Sequence, residues 1–405
     1  MGGISMEWKE VIATDYCYKV ADGTHDSPKR QNKGRFLITS KHIKGPSIDF
    51  DNAYYISEDD YQKIIKRSKI DKWDVIVSMI GEYCGFCYLE DSDFTDYAVK
   101  NVGILKVGER IKSLWLYYYL NSPDGRNQLK NTRAGSSQPY ISLGSLRNLL
   151  IPEPPRDVME RTVSILSSLD RKIELNNKIN ANLEEMAQAI FKNWFVDFEP
   201  FKDSKLEDSE LGMIPEGWKV GTLGDITKNK SAKVKERNDV KVLSPVTTGE
   251  LVLSEEYFTK QVFSSSIAKY KIVNKGDFAY NPARVNIGSL GRNEFDFDGC
   301  VSPVYVVFSV LDGYENYFDL FRKTDFFKDS VASLAIGGVR QSLSYDDLSS
   351  IEVIIPSENA VEEFNNLYNQ MKKTIKANKL ENSRLSTLRD TLLPRLMSGE
   401  LEIPE

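Results

Sequence analysis

Two segments of this chain concentrate cations at a spacing suited to a polyanion. Residues 28–44 carry Lys29, Arg30, Lys33, Arg35, Lys41 and Lys44 with no acidic residue among them. Residues 228–241 carry Lys228, Lys230, Lys233, Lys235, Arg237 and Lys241 against Glu236 and Asp239 alone. Clusters of this kind position a protein on phosphates, and neighbouring Ser, Thr, Asn and Gln reach the grooves. A solvated lysine-rich loop has the same composition; recurrence of the cluster early in both halves of the chain is what favours nucleic acid. Two glycine-bearing loops add candidates, Arg133-Ala134-Gly135-Ser136-Ser137-Gln138 and Gly337-Gly338-Val339-Arg340-Gln341. Arginine pairs bidentately with guanine and glutamine with adenine, although a plain turn also calls for glycine. Arg284 is a further candidate contact to phosphate or base.

Catalytic chemistry has little material. Asn281-Pro282-Ala283-Arg284 lacks the second proline and the aromatic of the motif used by amino-methylating enzymes, and no glycine-rich cofactor loop accompanies it. No Gly-Lys-Ser/Thr phosphate loop is present, so ATP hydrolysis is not expected of this chain. His25 and His42 are the only histidines. Cys84-Gly85-Phe86-Cys87 is a lone C-x-x-C whose nearest further ligands, Cys17 and His25, fit no standard zinc spacing. Inert thiols and no metal are expected. Tyr117-Tyr118-Tyr119 reads as core and interface.

The elements that must position the basic segments repeat. With 405 residues, 41% hydrophobic and 28% charged, the chain has the composition of a multi-domain globular protein, and its net charge of −6 hides any basic face. No run of 18 apolar residues predicts a membrane span, and no positively charged segment precedes an apolar core at the N-terminus. With four cysteines, the cytoplasm is the expected compartment. Short β-rich runs (36–39, 75–78, 102–105) and a Leu/Tyr helix from Ser113 to about Asn121 fill the first region. A helix is expected from about Val158 to Asp197, with apolar residues at Val163, Leu166, Leu169, Ile173, Ile179, Leu183, Ala187, Ile190 and Trp194. A second, from Ala360 to Met397, carries Phe364, Leu367, Met371, Ile375, Leu385, Leu388 and Leu392. At an offset of 202, Ile173, Asn176, Asn180 and Leu183 fall on Ile375, Asn378, Asn382 and Leu385. Rods of ~60 Å with matching stripes bury most simply against each other. An antiparallel intramolecular coiled coil is expected, with Ile173, Asn180, Leu183, Ile375, Asn382 and Leu385 at its seam and the asparagines fixing register. The regions before each helix also answer each other: Glu7-Trp8-Lys9 and Gly217-Trp218-Lys219, Lys72-Trp73-Asp74 and Lys275-Gly276-Asp277, Gln138 to Ser142 and Gln341 to Ser344. A period of ~200 residues means a duplicated domain-plus-helix unit.

The order globular–helix–globular–helix, the entry Gly212-Met213-Ile214-Pro215-Glu216-Gly217-Trp218 and the exits Ile151-Pro152-Glu153-Pro154-Pro155 and Ile354-Ile355-Pro356 resemble the specificity subunit of a type I restriction–modification enzyme. Asp22-Gly23-Thr24-His25-Asp26-Ser27-Pro28 resembles that family's first recognition domain, and Leu392-Leu393-Pro394-Arg395-Leu396-Met397-Ser398-Gly399-Glu400-Leu401 its C-terminal end. The resemblance implies an α+β protein with two mixed α/β target-recognition domains joined by two long antiparallel helices. Its expected parts are recognition domain 1 (1–155), the central spacer helix (156–198), a linker (199–213), recognition domain 2 (214–356) and the C-terminal spacer helix and tail (357–405). It further implies double-stranded DNA read as a split site, with Thr24, His25 and Ser136 joining the basic candidates. Methyltransferase subunits and motor-nuclease restriction subunits, two of each, are the implied protein partners. The chain itself would be non-catalytic, with no cofactor, within a complex that methylates adenine N6 and cuts DNA using ATP. On the residues alone, a coiled-coil scaffold joining two protein-binding domains remains the alternative.

Overall fold

The computed structural model describes residues 8–135, 137–258, 260–334 and 342–401. Internal contacts divide it into two units, Met1–Asn177 with Lys379–Glu405, and Lys178–Asn378.

Unit 1 is built on a four-stranded antiparallel sheet in the order Lys19–Asp22, Val102–Lys106, Asp74–Ser78, Cys87–Leu89. The two central strands are buried at every position, which is why they read as apolar runs rather than alternating ones. A three-stranded sheet follows the order Tyr54–Ile56, Arg35–Thr39, Tyr97–Lys100, with the last two parallel. Lys9–Ile12 pairs with Leu150–Glu153 beside the start of the long helix. The Leu/Tyr helix spans Arg110–Asn121 and buries Trp115, whose indole N–H donates to Pro152 O at 2.7 Å.

Unit 2 repeats this plan. Its first sheet runs Thr227–Lys230, Val306–Val310, Phe278–Tyr280, Leu290–Arg292, and its second Leu251–Leu253, Lys241–Pro245, Gly299–Val301, Lys271–Val273. Lys219–Thr222 pairs with Glu352–Ile355 as Lys9–Ile12 does with Leu150–Glu153. Tyr317, 202 residues after Trp115, donates to Ile354 O at 2.7 Å, and Ile354 lies 202 after Pro152. The stretch expected as a linker carries a 3-10 turn and the hairpin Leu206–Ser209 with Gly212–Pro215.

The long helices span Arg156–Phe195 and Glu358–Met397, 40 residues each, the first following Pro154 and Pro155. Asp170–Arg389 and Asn176–Asn382 contacts in unit 1, and Asn180–Asn378 and Phe191–Phe364 contacts in unit 2, make the helices antiparallel in each. Their apolar burial concentrates in the terminal turns: Val163, Leu166, Leu393 and Leu396 in unit 1, and Ala187, Phe191, Phe195, Val361, Phe364 and Tyr368 in unit 2. Ile179 near the middle is exposed, and so are Leu367 and Leu388 nearer the ends, although all three belong to the expected stripes. Only a second helix covers the middle, so its apolar seam is narrower than the sequence period suggests.

Candidate nucleic-acid interface

Four separate segments of unit 1 meet at one end of its sheets. The turn after Lys19–Asp22 packs so closely on the neighbouring strand that a Cβ at Gly23 would lie 2.6 Å from Val99 O. Only glycine fits there, and the next residues, Thr24 and His25, are thereby set against Lys100 and Asn101. Thr24 N donates to Val99 O at 3.0 Å, and the His25 ring lies between Asp22 Oδ2 (2.9 Å) and Asn101 Oδ1 (3.2 Å). Ser40, starting a 3-10 turn that continues to His42, donates to Asn101 O and accepts from the amides of Met79 (3.1 Å) and Ile80 (3.2 Å). Ile80 bridges Tyr140, Gly81 N donates to Pro139 O at 2.9 Å, and Ile141 N donates to Met79 O at 2.8 Å. The chain of contacts therefore gathers residues 23–27, 40–44, 79–86, 133–135 and 137–140 into one surface. Lys44 sets its ammonium 3.6 Å from the Tyr83 ring centroid, and Phe86 and Tyr140 stand exposed beside it.

The structure sorts the candidate cations of this unit. Lys29, Lys33 and Lys41 are exposed and make no side-chain hydrogen bond or ion pair among the described residues. Arg30 stacks over Tyr54 at 4.7 Å. Arg35 is held by Glu58 (3.0 Å) and Asp96 (3.4 Å), four residues before Thr39 along its strand and so ~13 Å from the convergent end. Arg133 turns inward and donates to Cys84 O at 2.5 Å, bracing the 79–86 loop, whereas Gln138 is exposed. Ser136, Arg340 and Gln341 lie outside the described residues. Sequence reasoning gave no role to Arg67, Lys100 or Asn101, which hold this turn through Asp22, Ser27 and His25; Arg67 reaches Asp22 from 45 residues away in the chain, and no local pattern signals that.

Unit 2 has a corresponding arrangement. Residues 281–289 follow Phe278–Tyr280 as 79–86 follow Asp74–Ser78. Asn281 N donates to Ser289 O (3.1 Å) as Ser78 N does to Phe86 O (2.8 Å), and Leu343 N donates to Pro282 O as Ile141 N does to Met79 O. Arg284 sits exposed on this loop without a side-chain partner among the described residues. Lys233 bridges Lys271, whose ammonium donates to Tyr305 O at 2.6 Å, next to the strand that pairs with Tyr280. Lys228, Lys233 and Lys235 are exposed and unpaired among the described residues. Lys230 instead grips both oxygens of buried Asp277 (2.8 and 3.0 Å), and Arg237 is bound to Asp239 and Asp298.

At the helices, the buried members are Asn176 and Asn180, while Ile173, Leu183, Ile375, Asn382 and Leu385 are half-buried. Asn176 donates to Asn382 at 2.9 Å and to Glu381 at 2.7 Å, and Asn382 donates to Asn177 at 2.8 Å. The cysteines are buried and free, and burial pushes the thiols of Cys17 and Cys87 up to about 12, away from nucleophilic or ligand behaviour. Among the described residues no group of three or more His, Cys, Asp or Glu could hold a metal ion. Tyr118 and Tyr119 are core residues. No helix among the described residues is long and apolar enough to cross a membrane.

Comparisons with known proteins agree with this architecture. The family described as "Type I restriction modification DNA specificity domain" matches residues 28–185. The type I restriction enzyme MjaIX specificity subunit of Methanocaldococcus jannaschii is 27% identical over 307 residues, 73% of this chain and 70% of that one. The HindI specificity subunit of Haemophilus influenzae is 25% identical over 422 aligned positions, covering 83% and 88%. The crystal structure of a type I restriction–modification S subunit from M. genitalium shares the fold, with a TM-score of 0.58 over 96% of each chain at 16% identity. Residues 28–185 thus match the DNA specificity domain of type I restriction–modification systems, and over most of its length the chain is similar to specificity subunits of type I restriction enzymes.

Proposed function

We propose that this chain is a non-catalytic DNA reader that recognises a two-part duplex target, one part with each unit, and brings methyltransferase and restriction subunits to it in the cytoplasm. The reading rests above all on the convergence of His25, Lys41, Lys44 and the 79–86, 133–135 and 137–140 segments at one end of unit 1. Cations supply sequence-independent attraction, and exposed polar and aromatic groups between them supply groove contacts. The related arrangement of Arg284, Lys233 and the 281–289 loop gives unit 2 its own reader. On this reading chemistry falls to the partner subunits, and the chain carries no cofactor of its own.

Single-molecule sequencing of methylated bases in a host carrying this chain and its methyltransferase partner tests the reading. A methylated motif in two parts is expected, and exchanging residues 6–155 for another recognition domain changes one part alone. No motif, or both parts changing together, would sink it. The scaffold alternative predicts no duplex binding; the reader predicts binding that falls steeply with salt and persists weakly on random duplex.

A further inference from the structure

Asp22 is a buried carboxylate with two exposed side chains, His25 and Arg67, attached to it. Its Oδ2 lies 2.9 Å from His25 Nε2, and its Oδ1 accepts from the Arg67 guanidinium. The Asp22 side chain is 8% exposed, while those of His25 and Arg67 are each 61% exposed. Burial alone would raise the Asp22 pKa, but hydrogen bonds from Arg67 and His25 outweigh it and hold the carboxyl below its usual range. The second ring nitrogen of His25 is fixed by Asn101 Oδ1 at 3.2 Å, and Lys100 Nζ donates to Ser27 Oγ at 2.6 Å on the same turn. Arg67 ends the helix Glu58–Ser68, and its carbonyl accepts from Lys19 at 3.2 Å, so its backbone is tied as well. The acidic neighbour on the turn, Asp26, is engaged by Thr24.

One anchored anion thus holds an imidazole whose two ring nitrogens are both engaged and a guanidinium that spends one nitrogen on Asp22 and leaves its outer edge to solvent. An ion pair made only for stability would gain little at such exposure. Holding the guanidinium rigid lowers the entropy lost when it closes on an anion. We propose that Asp22, braced by His25, is a positioning residue that holds the Arg67 guanidinium as a clamp for a backbone phosphate of the DNA bound by unit 1. This rests on the DNA-reading function proposed above and adds the ligand group, a phosphodiester, and the residue that takes it. A phosphate clamp fixes register on the duplex and carries no base preference.

Asp22→Asn gives a test in which two mechanisms have opposite signs. The substitution adds one unit of positive charge, which by long-range attraction alone tightens duplex binding. If Asp22 positions the clamp, binding instead weakens, by about tenfold. The loss should be equal for target and random duplex, and the log affinity–log salt slope should become shallower by about one. Binding of the full-length chain to both duplexes is measured by fluorescence anisotropy, with melting recorded alongside. Equal or tighter binding by a natively melting Asp22→Asn chain overturns the clamp. If Asp22→Asn fails to fold, Arg67→Gln decides: sequence-independent weakening supports the clamp, and unchanged binding overturns it. Absence of duplex binding by the unaltered chain would instead overturn the DNA reading itself.

Discussion

Asn176 Nδ2 donates to Asn382 Oδ1 at 2.9 Å within unit 1, and Asn378 donates to Asn180 at the same distance within unit 2. An offset of 202 converts one pair into the other: 176 becomes 378 and 180 becomes 382. Each asparagine therefore has a repeat-mate doing the same job, Asn176 and Asn378 donating and Asn382 and Asn180 accepting, and the duplication of the sequence is written into hydrogen bonds. Polar residues between helices lower stability but penalise a shifted register, because a shift leaves them buried without a partner.

That argument predicts opposite outcomes for single and double replacement. Asn176→Leu alone strands the Asn382 carbonyl and should cost about 1–3 kcal/mol. Asn176→Leu with Asn382→Leu removes both partners and should recover most of the loss or exceed the original stability. Urea denaturation of the full chain reads both. A single variant as stable as the parent would mean the pair contributes nothing.

A second expectation concerns acid. His42 is buried, and its Nδ1 accepts from Thr39 N at 3.0 Å, closing the cap of its own turn. Burial, reinforced by the Lys41 and Lys44 charges and opposed by Asp49, pushes its pKa below the usual 6.5. The unfolded chain thus takes up the proton first. Stability from this residue is fully present above pH ~6.5 and is lost as pH falls from there through the lower folded value. His42→Asn should flatten the pH dependence of unfolding between pH ~7 and ~5. An unchanged slope would remove His42 as its source.

How much was legible in the sequence follows from the range of the interactions. Helices of 40 residues announce themselves through local period, and so do the asparagines placed on them. The repeat showed because short motifs kept their order. It also explains an oddity: Trp73 adopts a left-handed backbone (φ +73°) where the matching residue of unit 2 is Gly276 (φ +90°), a conformation natural only to the glycine. What stayed hidden depends on distant partners. Arg35 and Lys230 looked like their neighbours in composition, yet Glu58, Asp96 and Asp277, 23 to 61 residues away, tie them down. Arg67 was missed for the same reason, since its role comes from Asp22, 45 residues earlier.

Burial gives a third expectation at Lys106, whose ammonium reaches Asp74 (2.5 Å) and Asp71 (2.9 Å) in the core of unit 1. Lys106→Met leaves the Asp74 carboxylate without its cation and should cost about 3–5 kcal/mol. Asp74→Leu with Lys106→Met should recover only part, because Asp74 also accepts from Asp71 N at 2.8 Å. A double-mutant cycle on unfolding free energies measures the coupling. Additive effects would show that the pair is not a unit.

The last prediction separates two kinds of lysine that lie within one short segment. Lys228, Lys233 and Lys235 are exposed and unpaired among the described residues, so changing any of them to Gln should leave melting untouched. Where the lysine meets a phosphate, its removal should make the log affinity–log salt slope shallower by about one, on target and random duplex alike. Lys230 behaves differently because it neutralises buried Asp277, which also caps the Asn274 amide at 2.9 Å. Burial raises the Asp277 pKa, and the Lys230 charge opposes that rise. Lys230→Gln should therefore lower the melting temperature of unit 2 while changing the salt slope by less than the other three. The ordering is the test: a Lys230→Gln chain that melts normally and loses a full unit of slope, or a Lys233→Gln chain that melts early with its slope intact, would reverse the assignment of these lysines to fold and to DNA.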